Sequence, residues 1–362
     1  MSNMRQIIEK EVAQQGVITF AQFMELALYC PKFGYYEQQD VSPGQRGDFY
    51  TSVSVGSLFG ELLAFQFANW LETLGEGRHQ IVEAGAHDAR LACDILSWLQ
   101  IQRSEVMQSV EYWILEPSEI RQESQKKTLG DLARHVRWFD SWEAVPESGV
   151  QGIIFSNELL DAMPVHRLGW DAVQKHWFEW GVTLQGGEFV WTKMAKVDSA
   201  ITKSLAYIPQ ELLDILPDGF TTEACPAAID WWYQAARTLR RGRLMAIDYG
   251  MSAEEFFTPE RKSGTLRAYH RHHLNDNLLS HAGEQDLTAH VNFSAVQEAG
   301  EMAGLETESW LTQTQFLTRI FEKIVQAKEQ FSEWTPSQVR QFQTLTHPEH
   351  LGRSFRVLVQ SR

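Results

Sequence analysis

An apolar run, Gly152-Ile-Ile-Phe-Ser-Asn157-Glu158-Leu-Leu-Asp161, ends in an amide and two carboxylates, with Pro164 just beyond. Polar groups at the end of a buried strand can fix a cationic or amide nucleophile, since carboxylates take its donors and localise its charge. The same side chains could instead only cap a short turn. A second group reads Ile81-Val-Glu83-Ala-Gly85-Ala-His87-Asp-Ala89, a strand ending in an acid, then a small-residue turn and a helix. A glycine placed there lets the backbone approach a ligand and turn sharply. The full G-x-G-x-x-G is absent, so a dinucleotide site is not supported. In Glu111-Tyr-Trp-Ile-Leu-Glu116-Pro117-Ser118 an acid stands about 30 residues after that turn and can accept both hydroxyls of a ribose. A helix-capping or surface acid is the alternative. Lastly, Arg46-Gly47-Asp48-Phe49-Tyr50-Thr51-Ser52 is a glycine-led, hydroxyl-bearing loop that by itself reads as an N-capped helix start.

The elements that must position these groups are legible in outline. Leu58, Phe59, Leu62, Leu63, Phe67, Trp70, Leu71 and Leu74 recur at helical spacing until Gly75, which predicts one amphipathic helix. From residue 80 onward, short apolar runs alternate with helical stretches. The runs are Gln80–Glu83, Tyr112–Glu116, Val136–Phe139, Gly152–Ser156 and Arg243–Asp248, with a helix over Leu91–Leu99. This rhythm predicts a parallel sheet with crossover helices, whose carboxyl edge is where ligands sit. Val165–Leu168, Lys175–Trp180 and Glu188–Trp191 predict an antiparallel patch with a turn at Gln185-Gly186-Gly187. Its rings, among them Trp177, Phe178, Trp180, Phe189 and Trp191, are expected to pack a core rather than form a platform. Residues 313–346 read as helical, and Arg353–Gln360 as a further strand. The division expected is 1–75 as a helical extension carrying the glycine-led loop, and 76–362 as the core. Within that core, an insertion is expected at about 165–235 and a helical one at 313–346.

The chain's 362 residues, 43% of them hydrophobic and 22% charged, suffice for a sizeable core. Its 32 basic and 47 acidic residues give a net charge of −15, which argues against nucleic acid and leaves a basic protein or peptide open as partner. No apolar run is long enough to cross a membrane. Cys30, Cys93 and Cys225 show no CxxC spacing, which fits a reducing compartment and excludes a cysteine-built zinc site. With no targeting segment in view, a cytoplasmic location is expected.

The Glu83–Ala89 turn is closest to E-x-G-x-G-x-G, the first motif of S-adenosylmethionine enzymes, with His87 and Ala89 at the second and third glycines. Further stretches stand in order: Phe33-Gly34-Tyr35-Tyr36, Gly47 to Ser52, Leu58-Phe59-Gly60-Glu61-Leu62, Asn157 to His166 and Asp248-Tyr249-Gly250. Gly264-Thr-Leu-Arg-Ala-Tyr269 and Asp286-Leu-Thr-Ala-His-Val-Asn-Phe293 come after them. Together, over about residues 16 to 320, they resemble the MidA family of S-adenosylmethionine-dependent methyltransferases. That family includes the mitochondrial complex I assembly arginine methyltransferase. The resemblance implies an α/β class I methyltransferase fold, Rossmann-like with a mostly parallel sheet. It also implies S-adenosyl-L-methionine as methyl donor and a protein arginine as acceptor, with a respiratory-complex subunit as partner by analogy. Carried over by position, Gly47, Thr51, Ser52, Glu83, Gly85, His87, Glu116 and Pro117 hold the cofactor, with Thr51 and Ser52 near its amino-acid end. Asn157, Glu158 and Asp161 lie near the methyl group. Two departures stand out: Gly85-Ala-His-Asp-Ala89 replaces the family's Gly-Pro-Gly-Arg-Gly turn, and Val53-Ser54 replaces a Pro-Glu.

A histidine cluster, His270, His272 and His273 with His281 and His290, has neither an H-E-x-x-H pattern nor cysteine partners, so no metal is expected. Two rival functions remain open: a small-molecule N- or O-methyltransferase on the same core, and a degenerate methyltransferase fold acting as an assembly factor. The shape of the cleft beside Asn157 separates the first from a peptide enzyme, and a cofactor titration tests the second.

Overall fold

A computed structural model describes residues 3–38, 51–194, 196–198, 201, 205, 208, 210–271, 273–327, 331 and 333–362. The chain forms two compact units. One comprises Ser42–Leu159, Trp231–Gly250 and Gln297–Arg362; the other comprises Met1–Val41, Leu160–Asp230 and Met251–Val296. Among the described residues no helix is long and apolar enough to cross a membrane.

The first unit is organised by a sheet of strands β1 (His79–Ala84), β2 (Val110–Leu115), β3 (Val136–Phe139), β4 (Val150–Asn157), β5 (Leu239–Met251), β6 (Glu306–Thr312) and β7 (Phe355–Ser361). Their order is β6-β7-β5-β4-β1-β2-β3. β3, β2, β1, β4 and β5 pair in parallel, while β7 runs antiparallel to both β5 and β6. The five apolar runs expected as strands all lie in this sheet. Ile81, Val82, Ile153, Ile154 and Phe155 are each at most 1% exposed, as strands covered on both faces require. Helix Arg90–Gln102 comes after β1, and helix Glu119–Leu129 after β2. Strand order reverses between β1 and β4, where Ala84 pairs with Ser156. A crevice at the carboxyl ends of strands is expected at such a switch.

Helix Leu58–Glu72 departs from the expected one-sided stripe. Gly60, Ala64, Phe65, Gln66 and Ala68 are buried too, so nearly its whole circumference is covered. The cover comes from helix Arg90–Gln102, against which Gly60 packs, and from the 313–346 region, which forms two helices, Gln313–Gln326 and Pro336–Thr346, rather than one continuous stretch. Lys323 Nζ donates to Gln66 Oε1 (3.0 Å) and Gln338 Nε2 to Glu61 Oε2 (2.9 Å). The second helix starts at a capping box, Thr335 with Gln338, with Pro336 in its first turn.

The second unit holds an antiparallel sheet ordered Ile18–Thr19, His176–Gln185, His166–Asp171, Thr221–Ala224, with Glu188–Lys193 also paired to His176–Gln185. Gly186 (φ +60°) and Gly187 (φ +84°) turn the hairpin that puts Gln185 opposite Glu188. Trp191 meets Phe20 (ring centroids 5.0 Å apart), Phe189 meets Phe23 (5.8 Å) and Trp177 meets Trp170 (5.0 Å), so these rings pack within the unit. Phe20 and Phe23 belong to helix Phe20–Tyr29, which starts at a Thr19–Gln22 capping box. A small sheet places Arg267–His270 between His273–Leu274 and Asp286–Thr288.

Candidate active site

β1 delivers Glu83 to the sheet's carboxyl edge, 3% exposed, where its Oε2 accepts a 2.6 Å hydrogen bond from Tyr112 Oη of β2. Burial pushes the Glu83 carboxyl up to about 7; the tyrosine bond opposes this and Asp88 adds to it. The chain then turns at Gly85 (φ +69°), where a side-chain carbon would stand 2.8 Å from Leu159 Cδ1. The positive φ strains any side chain at this position, and the Leu159 side chain would have to shift to admit one. His87 (φ +44°) and Ala89 (φ +61°) occupy left-handed conformations without being glycines. His87 Nδ1 is buried with no hydrogen-bond partner among the described residues. Burial, then the charge of Arg121, pushes this ring down to about 4, so it is neutral at pH 7.

β2 ends beside Glu116, 3% exposed. Its Oε1 accepts from Ser118 N (3.1 Å) and its Oε2 from Gln125 Nε2 (3.0 Å), with Arg121 4.0 Å away. Gln125 Nε2 also donates to His87 O (3.1 Å), and Gln125 Oε1 accepts from Trp138 Nε1 (2.9 Å). One glutamine thus ties the glycine turn, the acid and β3 together. Pro117 is the next residue, exposed.

β4 carries Asn157, whose Nδ2 donates to Glu158 Oε1 (3.0 Å) while its buried Oδ1 has no partner among the described residues. Glu158 sits at φ +52°, its N–H held by Ile247 O (2.9 Å). The fully buried Asp248 holds the backbone on either side of this contact: Oδ2 accepts from Leu159 N (3.1 Å) and Oδ1 from Tyr249 N (2.8 Å). The Asp248-Tyr249-Gly250 stretch therefore clamps the loop that presents Glu158.

Asn157 and Glu158 are brought together, but Asp161 belongs to the second unit. There it is 6% exposed, and its carbonyl accepts from Ala289 N (2.9 Å). Its charge acts on Tyr36, whose hydroxyl donates to Asp286 Oδ1 (2.8 Å) and is pushed well up by burial, then by Asp286, Tyr29 and Asp161. Thr51 Oγ1 caps helix Ser52–Val55 by accepting from Ser54 N (3.1 Å), and the buried Ser52 donates to Gln313 Oε1 (3.0 Å). Gly47 lies outside the described residues. Tyr112, Arg121, Gln125 and Asp248 were not singled out from the sequence as site residues. Only Asp248, within its Asp-Tyr-Gly stretch, left a trace there.

Of the histidines, His290 is pushed down to about 4 by burial, then by Arg267 and Arg261. His270 and His281 stack with centroids 4.2 Å apart, and with Glu284 they place donor atoms within 4.8 Å of one another. His272 lies outside the described residues.

Residues 62–310 match the family described as S-adenosyl-L-methionine-dependent methyltransferase. The chain belongs to this family. A crystal structure from Burkholderia thailandensis with S-adenosyl-homocysteine bound superposes on the methyltransferase with a TM-score of 0.84 at 30% identity, over 99% of this chain and 92% of that one. The Drosophila melanogaster protein named protein arginine methyltransferase NDUFAF7 homolog, mitochondrial, is 26% identical over 97% of this chain and 83% of its own length. The human protein arginine methyltransferase NDUFAF7, mitochondrial, is 27% identical over 82% and 68%. These names overturn the expected cytoplasmic location: the curated relatives are mitochondrial proteins, and the residues at the start of the chain are no measure of compartment.

The family's cofactor is S-adenosyl-L-methionine, and the edge of this sheet fits it. Gly85 leaves bare backbone at the turn, and Glu116 supplies a buried acid at the end of the next strand. The orphaned Nδ1 of the neutral His87 ring is a buried polar atom in want of a partner.

Proposed function

We propose that this methyltransferase modifies an arginine side chain of a protein partner, with Asn157 and Glu158 receiving the guanidinium. The observation that carries the reading is the buried, unpartnered Oδ1 of Asn157 beside the Glu158 carboxylate, at the carboxyl end of β4. A buried acceptor without a donor is costly, and a guanidinium offers five N–H donors in a planar fork. The names of the mitochondrial relatives support the same acceptor, and a net charge of −15 suits a basic partner.

When bound, S-adenosyl-L-methionine supplies a methyl group on a cationic sulfur. The chain's own residues position and polarise. Glu116 holds the ribose hydroxyls, Gly85 and His87 bring backbone and a neutral ring against the nucleoside, and Glu83 shapes the edge beneath them. Thr51, Ser52 and Pro117 complete the cofactor's surroundings. An arginine keeps its charge at any ordinary pH, spread over three nitrogens. Glu158 draws that charge toward two of them and leaves the third more nucleophilic, while Asn157 Oδ1 fixes the plane of the group. Asp161 adds a further acid to the same stretch of chain.

The test is incubation of the protein with labelled cofactor and arginine peptides, each paired with a lysine-substituted copy, followed by mass spectrometry. Methylation confined to the arginine members is the expected result. Label on lysine, or on a small molecule in a peptide-free extract, would displace the reading.

A further inference from the structure

Within the second unit lies a cavity of about 40 Å³. Several stretches of chain converge on it. Leu160 and Val165 come from the run between Asn157 and His166, and Ala289 and Val291 from that between Asp286 and Phe293. Thr265, from Gly264–Tyr269, grips the charged residue in the wall, Glu223.

Glu223 is 5% exposed. Its Oε2 accepts from Thr265 N (2.8 Å) and from Thr265 Oγ1 (2.9 Å), whereas Oε1 has no hydrogen-bond partner among the described residues. Gly264 has φ +78°, and any side chain there would collide with Oε1, so the glycine makes room for the carboxylate. Arg167 pairs with Glu223 across neighbouring strands and lends it positive charge. Its guanidinium is stacked on Trp191, 4.4 Å from the ring centroid, and its Nε, like Glu223 Oε1, is buried without a hydrogen-bond partner among the described residues. Burial raises the Glu223 carboxyl, opposed by the Thr265 bonds, by Arg167 and by the Leu266 backbone N–H.

A buried carboxylate oxygen lacking a donor calls for one. The space exceeds the roughly 10–15 Å³ that one water needs. Much of the wall is apolar, with Ile229, Phe256 and Val296 among its members. A ligand that satisfies both features has a cationic N–H head on a hydrocarbon stem, which describes a basic side chain. Neither Asn157 nor Glu158 lines the cavity, so the cation it takes is not the one assigned to them.

We propose that this cavity is a specificity subsite for a second basic side chain of the acceptor protein, with Glu223 Oε1 as the hydrogen-bond acceptor. The proposal rests on the reading of a protein arginine as substrate, and it makes that substrate a segment with two basic residues.

Two measurements test it. In the first, ethylguanidinium is titrated calorimetrically into the full chain saturated with S-adenosyl-homocysteine. Wild type should bind it, and Glu223→Gln should weaken binding at least tenfold with S-adenosyl-homocysteine affinity unchanged. In the second, KM and kcat are measured for arginine peptides with and without a second arginine. Glu223→Gln should raise KM at least tenfold for the doubly basic peptide only, with kcat within twofold of wild type. Ala228→Val narrows the cavity without touching the carboxylate and should act the same way if Glu223→Gln does not fold. No ethylguanidinium binding by wild type would mean a buried water only and would overturn the proposal. Equal KM values would overturn it as well, and so would a collapse of kcat at unchanged KM. The binding arm needs no turnover: ethylguanidinium binding that Glu223→Gln abolishes sustains the cation site even if arginine peptides stay unmethylated. Methylation of arginine without such binding removes the subsite alone.

Discussion

Replacing Glu83 by glutamine should make the protein more stable at pH 8 and flatten its stability profile on the acid side of neutrality. The carboxyl is buried at 3% exposure and pushed from 4.5 to about 7, chiefly by burial. Between those two pH values the folded chain keeps a proton that the unfolded chain has released. Stability therefore falls as pH rises through this window, and above about pH 8 the full loss is present. A rise from 4.5 to about 7 corresponds to about 3 kcal/mol, at about 1.4 kcal/mol per pH unit. Glutamine has no proton to lose, is close in shape, and offers an amide oxygen to Tyr112 Oη. Urea unfolding of both proteins from pH 4.5 to 8 is the assay, read as the difference between them so that other titrating groups cancel. The two curves should meet near pH 4.5 and separate in favour of the variant by about 3 kcal/mol at pH 8. Parallel curves would show that Glu83 titrates as an ordinary surface acid and would refute the burial argument. A variant less stable at every pH would show that the Tyr112 bond requires a charged partner.

Three further outcomes concern the site. Glu116→Ala should weaken S-adenosyl-L-methionine binding at least tenfold by calorimetry, about 1.4 kcal/mol, because it removes the acid that takes the ribose hydroxyls; unaltered affinity would contradict that role. Glu158→Gln should keep cofactor affinity but slow methyl transfer at least tenfold in single-turnover measurements, again about 1.4 kcal/mol; unchanged turnover would remove Glu158 from the chemistry. Asp248→Ala strips the acceptors from two backbone N–H groups and should cost about 2 kcal/mol of stability in urea unfolding. It should also lower kcat with cofactor affinity kept, whereas full activity would mean that the loop after β4 needs no clamp.

How much of this was legible in the sequence depended on the range of the forces involved. The strands that carry Glu83, Glu116 and Asn157 could be read from apolar runs alone, since a strand buried on both faces states its burial in its own residues. Gly85 could be read as well, because a turn at positive φ leaves a local mark. The break in the 313–346 region was also written locally, as Thr335-Pro336-Ser337-Gln338, but a continuous helical reading passed over it. What could not be read was contact. Nothing near Gln125 says that it bonds both Glu116 and His87, and nothing near Glu223 says that Thr265 will hold it. Gly60 and Phe65 fall outside the stripe of their helix, and their burial comes from residues that are not chain neighbours: Leu91, Asp94 and Ile95 against Gly60, Trp98 and Phe331 against Phe65. Asp161 stands close after Glu158 in the chain, yet the structure counts it with Tyr36 and Asp286.

The antiparallel unit gathers separated stretches of chain, and this has a consequence during synthesis. Phe20 and Phe23 are covered by Trp191 and Phe189, which leave the ribosome about 170 residues later. At about 5–20 residues per second, the early helices wait roughly ten to thirty seconds with their aromatic faces bare. Slow codons placed in that interval would lengthen the exposure of these rings while changing no residue.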